Sequence, residues 1–411
     1  MSTFVDGVAI ITSSMQTGRR VPCLFRTALI GLGCTCFTAT AQPANCNAAA
    51  SSPSVTLDLP ARPFGTVPAP DGCWVFVSLM QGTPKAGIGV VKRSSGHVEL
   101  SRVVPLKSEA ALGLVLTHDG KLLIVAGGDH VVFIDARGLI SGAANPVLGS
   151  FRDGPSAGSV YANVTPDDKL LFVSEEAQHS ITVINLQRAR ANGYNPDAII
   201  GSIPTGNAPI ALTFSPDGKW LYTTSQGALH DWNWSLACKP EGRDPATSKI
   251  TRPEGAIVVV DVARAKTDPA GAVAARVPAG CSPVRMAISP AGDRVYVTAR
   301  NSNAVLAFDT AKLLSDAEHA RVGTATVGSA PVPIAVIDGG KKVIAGNSNR
   351  FGKSAEPQSL TILNTAEMQA AGTIQAGVFP REMAVSSDGG TLFLTNFGSK
   401  SLQVIDLTKL K

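Results

Sequence analysis

Few groups in this 411-residue chain have the types and spacing for chemistry. The six histidines, His97, His118, His130, His179, His230 and His319, are scattered. None shows the HxH, HxxxH or HExxH spacing that brings two imidazoles to one metal, so no metal site is expected. No GxSxG elbow occurs, and no Ser/His/Asp order pairs a nucleophile with a base, so no catalytic residue is assigned. "GNSNRFGKS" (346–354) is basic and contains glycine but lacks phosphate-loop spacing. CxxC and CxxCH are both missing, which leaves no redox dithiol, no covalent haem and no expected cofactor. One stretch is unusually dense: "HDWNWSLACKPEGRD" (230–244) holds two of the four tryptophans, a histidine and a cysteine. His230, Asp231, Trp232 and Trp234 could form an aromatic platform for a sugar or a partner. Alternatively, the two indoles could be the packed core of a loop.

The elements that must carry these residues are repeated. "SPDGKWLYTTS" (215–225) and "SPAGDRVYVTA" (289–299) are two of seven related segments. The others are "APDGCWVFVSL" (69–79), "THDGKLLIVAG" (117–127), "TPDDKLLFVSE" (165–175), "IDGGKKVIAGN" (337–347) and "SSDGGTLFLTN" (386–396). Anchored on Asp71, Asp119, Asp167, Asp217, Ala291, Gly339 and Asp388, the spacings are 48, 48, 50, 74, 48 and 49. In each copy an apolar run meets Pro-Asp-Gly turn chemistry, and a β-rich run follows. A third run such as "SITVINL" or "AIVVVDV" comes next, then a weaker fourth such as "IIGSIPTG". Four strands in just under 50 residues, seven times over, predict a seven-bladed β-propeller with four antiparallel strands per blade. Copy seven lacks its fourth strand, whereas "SVTLDLP" (54–60) stands unpaired before copy one. That N-terminal strand is therefore expected to complete the last blade and close the ring.

The "YVTA", "YTTS", "FLTN" and "FVSE" motifs, each preceded by a variant of "SPDG", resemble the YVTN-family β-propeller repeat over residues 54–411. That family is similar to the seven-bladed lactonase-type and haem-d1-type propellers. The resemblance implies an exported protein; it assigns no activity, because fold alone does not fix function.

In a propeller of this strand order, the loops joining strands two to three, and strand four to the next blade, share one face. The Pro-Asp-Gly turns lie on the other. Four residues before each turn's first residue lies a position near the channel mouth: Gly65, Gly113, Tyr161, Ala211, Arg285, Pro333 and Glu382. The last motif position reads Leu79, Gly127, Glu175, Ser225, Ala299, Asn347 and Asn396. Tyr161, Glu175, Arg285 and Glu382 stand out, with Arg300 and Arg381 next to such positions. His130 and His179 fall in loops of the same face, within expected reach of Glu175 or Glu176. These residues form a candidate mouth for a polar or anionic small molecule.

The 74-residue interval places an insertion, about 226–255, in the second-to-third-strand loop of blade four. Cys281 lies in the junction to blade five on the same face, which makes it a partner for Cys238. Closing that loop is worth roughly 3–4 kcal/mol in the chain-entropy model. Cys46 and Cys73 both lie toward the opposite face and would staple the tail to blade one. Arg19, Arg20 and Arg26, an apolar run over 27–41 and Ala39-Thr40-Ala41 read as a signal peptide over 1–41, followed by a flexible tail over 42–53. A periplasmic or extracellular location follows, and four remaining cysteines agree with it. The net charge of +5 and the lack of any long Lys/Arg run argue against nucleic acid as a partner. No segment after the signal is long and apolar enough to span a membrane. The expected protein is a monomeric binding or scaffold propeller for a small molecule or protein partner. A lactonase-like hydrolase is the alternative, and a cofactor-binding redox propeller a third reading.

Overall fold

The repeated Tyr-Val-Thr pattern explains itself in three dimensions. The computed structural model describes residue 46 and residues 52–410, apart from 83, 95, 155–157, 245 and 353–356. The segment over 1–41 read as a signal peptide, and nearly all of the tail expected over 42–53, lie outside the described residues. The rest forms seven four-stranded antiparallel sheets arranged as the blades of a propeller. Blades one to six run over 62–105, 114–151, 159–204, 207–278, 283–326 and 331–375. Blade seven combines 380–406 with Ser54–Asp58, which pairs antiparallel with the strand Ser401–Asp406. No described helix is long and apolar enough to cross a membrane.

Successive residues of the second strand point alternately to the two neighbouring blades. The first motif position faces the following blade: Phe76, Ile124, Phe172, Tyr222, Tyr296, Ile344 and Phe393 are all buried in seven different inter-blade clusters. Each such side chain contributes about 1.5–3 kcal/mol by leaving water. Residues one step on, such as Val77, Val125, Val173 and Val297, pack against the preceding blade. The propeller core is thus seven sandwiches, with a small axial cluster of Ile210, Val284 and Val332 touching Tyr161.

The third motif position is a hydroxyl for a separate reason. The first strand of most blades bulges next to the channel, so one N–H there leaves the sheet ladder. In blade five the Thr298 hydroxyl accepts that N–H from Arg285 at 3.1 Å and donates to the Val332 carbonyl of blade six at 2.9 Å. Ser78, Ser174, Thr224 and Thr395 make the same two bonds, the last reaching the Phe64 carbonyl of blade one and so crossing the ring's closure. Two blades lack the hydroxyl. In blade two, with Ala126, the Gly113 amide bonds the Val160 carbonyl directly. In blade six the channel residue is Pro333, which has no N–H to satisfy. Gly346 stands opposite it, where a Cβ would come within 2.5 Å of the proline ring, and Ser348 bonds the Pro380 carbonyl instead.

The turns on the opposite face have their own logic. Asp217 accepts from the Ser215 hydroxyl at 2.6 Å and the Lys219 amide at 3.1 Å, and Asp119, Asp167 and Asp388 repeat this pairing. Where Ala291 replaces the aspartate, Asp293 takes the Ser289 hydroxyl at 2.7 Å. His118 is part of this turn face, its ring 2.8 Å from Asp168. Disulfides join Cys46 to Cys73 and Cys238 to Cys281.

Thr298→Val keeps the shape but leaves the Arg285 N–H and the Val332 carbonyl without their partner. A loss of about 1–3 kcal/mol is expected in denaturant unfolding. An unchanged midpoint would show that the hydroxyl clamp does not hold the blades.

Candidate functional site

The bulges place three unlike side chains at the axis. Tyr161, Arg285 and Glu382 come from blades three, five and seven, while the equivalent positions hold Gly65, Gly113, Ala211 and Pro333. Tyr161 has room because its ring lies over Gly113, where a Cβ would approach it to 2.5 Å. Its hydroxyl donates to Glu382 Oε2 and accepts from Arg285 Nη2. Arg285 Nε also bonds Glu382 Oε2, at 3.1 Å, and the Met383 amide bonds Oε1 at 3.3 Å. Burial raises the Tyr161 pKa well above that of an ordinary phenol; Arg285 opposes this and Glu382 adds to it. The phenol is therefore a neutral donor at neutral pH, and both oxygens of Glu382 are engaged. Together the three form a floor across the channel.

Arginines stand around this floor. Arg381 lies with its guanidinium carbon 4.2 Å from the Phe64 ring centre and 5.6 Å from that of Phe379. Burial lowers its pKa to about 10, Tyr161 opposes this, and Arg285, Arg350 and Arg300 lower it further. Arg300, at the end of the second strand of blade five, is 3% exposed. It makes a two-pronged pair with Glu241 at 2.9 and 2.6 Å and bonds the Gln226 oxygen at 2.6 Å. Gln226 in turn bonds Glu176 at 3.2 Å. Arg350 comes from the blade-six loop; burial lowers its pKa first, then Arg300, with Glu241 and Glu176 opposing.

Glu241 reaches the site because the insertion is anchored beside it. Cys238 is bonded to Cys281, and Asn301 donates to the Lys239 carbonyl at 2.7 Å. A short strand, Leu236–Cys238, pairs with Arg252–Pro253. Trp232 and Trp234 meet edge to face at 5.3 Å and pack against the cluster between blades three and four. Arg276 covers Trp232 at 4.9 Å. Both indoles are half-buried against that cluster, while His230 and Asp231 are exposed beside them.

Two sequence expectations are corrected. Glu175 does not line the mouth: it is 0% exposed, and so are Leu79, Ser225 and Ala299 at the equivalent positions. That motif position closes the end of the second strand between its neighbours and faces the blade interior. Glu175 lies instead against the buried Asp153. The Ser159 hydroxyl is directed at the Asp153 carboxylate at 2.8 Å, and the Thr182 hydroxyl at the Asp153 carbonyl at 3.0 Å. Neither proton is left for Glu175, so a protonated Glu175 suits the site better than an ionised one. Burial, and then Asp153, push its pKa up to about 8. Nor do the histidines meet Glu175 or Glu176. His130 pairs with Asp129 at 2.8 Å, and His179, at φ 56°, turns its ring to accept the Ala208 amide at 3.3 Å. No group of three or more potential metal ligands occurs among the described residues. Sequence reasoning missed Gln226, at the extended end of the strand Trp220–Gly227, and Glu241 and the place of Arg350, which lie in loops that do not repeat.

The fold and this axial floor define the class: a seven-bladed β-propeller with a polar, partly buried mouth. No family model matches the chain, and no curated protein does. Among solved structures it is similar to a chain of Kuenenia stuttgartiensis hydrazine synthase, with a TM-score of 0.62 and 17% identity over 86% of this chain and 97% of that one. At that identity the likeness is one of fold.

The raised pKa of Glu175 makes a signed prediction. A carboxyl whose folded pKa lies above its unfolded value stabilises below the unfolded value, 4.5, and loses that contribution as pH rises through about 8. Glu175→Gln should match the wild type near pH 4 and exceed it at pH 9 by up to about 5 kcal/mol. Parallel stability curves for the two proteins would refute the buried, protonated carboxyl.

Proposed function

We propose that this chain is an exported binding propeller of the YVTN kind, and that its ligand sits at the channel mouth on the face carrying the blade-four insertion. One observation carries the reading: polar side chains from three blades meet at the axis, with charged groups of the surrounding loops about them, where the fold itself requires none. Blades one, two, four and six fill the same inner position with glycine, alanine or proline. Burying Arg285 and most of Glu382 costs solvation that a hydrophobic pair would not, so these residues are explained by recognition better than by stability. The state of the groups favours holding over catalysis. Glu382 has both oxygens occupied and Tyr161 keeps its proton, so neither is poised as base or nucleophile.

Export is supported by the basic and apolar segment over 1–41 and by two disulfides outside it. The repeated motif supports the YVTN resemblance.

The test is a thermal-shift screen of sugars, amino acids, nucleotides and carboxylic acids on the wild type and on Arg285→Met/Glu382→Leu. Compounds that stabilise the wild type should lose their effect on the double variant, which replaces the ion pair by apolar side chains. Equal shifts in both proteins would place the ligand elsewhere.

A further inference from the structure

The charges at the mouth do not balance, and the imbalance is confined to two groups. Arg285 is paired with Glu382 and Arg300 with Glu241. Arg350 and Arg381 have no carboxylate within ion-pair distance among the described residues, although Glu241 and Glu176 act on Arg350 from farther away. Four guanidinium groups nevertheless sit close enough for Arg285, Arg300 and Arg350 each to disfavour the charge on Arg381. Such a cluster is unfavourable unless something negative enters it.

Two buried atoms show where that would be. Arg285 is 5% exposed, yet its Nη1 has no hydrogen-bond partner; Arg381 Nε is also buried and unpartnered among the described residues. A buried guanidinium nitrogen without an acceptor carries a desolvation cost that an oxyanion would remove. The aromatic rings of Phe64 and Phe379 beside Arg381 offer a face to its cation but no lone pair, so they leave this need unmet.

We infer that the mouth of the channel is a site for a small oxyanion, a carboxylate or a phosphate, held between Arg381 and Arg350 with Arg285 Nη1 beneath it. This rests on the proposed binding role of the same face and names its ligand class. The arrangement also assigns a part to the insertion. Glu241 neutralises Arg300 from a segment fixed by the Cys238–Cys281 bond. Burial acts to raise the pKa of Glu241, but the Arg300 bonds bring it below the ordinary value, so it stays ionised. Glu241 thereby limits the cationic excess and tunes affinity downward.

The experiment is titration calorimetry of the full exported protein with succinate, citrate and inorganic phosphate, and with glucose and succinamide as neutral probes, at low and high salt. Binding of at least one anion is expected, weaker at high salt, with no heat from the neutral probes. Arg381→Gln and Arg350→Gln should each weaken it about tenfold or more, the equivalent of one lost charge-assisted bond. Glu241→Gln should tighten it several-fold by freeing Arg300, a gain that loss of folding cannot mimic. Preference for carboxylates or for phosphate identifies which oxyanion the site takes. If no anion binds while a neutral compound from the thermal-shift screen does, the charge inference is wrong and the binding role stands. If nothing binds in either experiment, both fail. Weaker anion binding by Glu241→Gln would overturn the tuning role.

Discussion

The hydroxyl that bridges neighbouring blades is the constraint on which the rest depends. It takes the one amide that a bulge has removed from its ladder and passes its own proton to a carbonyl of the next blade. An unpaired amide inside a propeller would cost more than most single contacts contribute. The bulge is therefore tolerable where this hydroxyl stands, or where, as in blade six, a proline leaves no N–H to satisfy, and the bulge is what turns the inner-strand residue toward the axis. Tyr161, Arg285 and Glu382 are each held by such a bond at 3.1 Å. Scaffold and site share the same hydrogen bonds, which is why the axial residues can be polar without loosening the ring.

The site inverts the chemistry of the core around it. Seven apolar sandwiches hold the blades together, and the axis at their centre carries guanidinium, phenol and carboxylate groups. Their mutual bonds compensate part of the desolvation, as a three-membered cluster must when water is largely excluded. The compensation stops at Arg381, which is covered by aromatic rings in place of a counter-charge.

Much of this was legible in the residues. The repeat spacing defined seven blades and the unpaired strand at 54 defined the closure, because turn chemistry and alternation are local and recur. Comparison of equivalent positions found Tyr161, Arg285 and Glu382, since the channel position lies at a constant offset from the turn. The same method misassigned Glu175: a strand's last residue can face the channel or its own blade, and only the pairing of Glu175 with Ser180 and Ser159 decides. Glu241 and Gln226 were out of reach for a different reason. They sit where blade four departs from the repeat, so no equivalent position exists to compare. The serine or threonine of the motif was visible throughout, but its meaning needed the bulge, which periodicity does not reveal.

Blade seven joins strands that lie roughly 350 residues apart in sequence, a contact whose closure in a free chain would cost about 5 kcal/mol. In the closed ring the six intervening blades hold the two ends side by side, so the pairing joins strands that the rest of the fold has already brought together. Until then the strand at 54–58 is an open edge. The Cys46–Cys73 bond stands just ahead of it and fixes its approach to blade one, the blade beside which it must dock. That bond leaves the separation between the two paired strands unchanged; what it limits is where the strand at 54–58 can lie relative to blade one when its partner at 401–406 arrives.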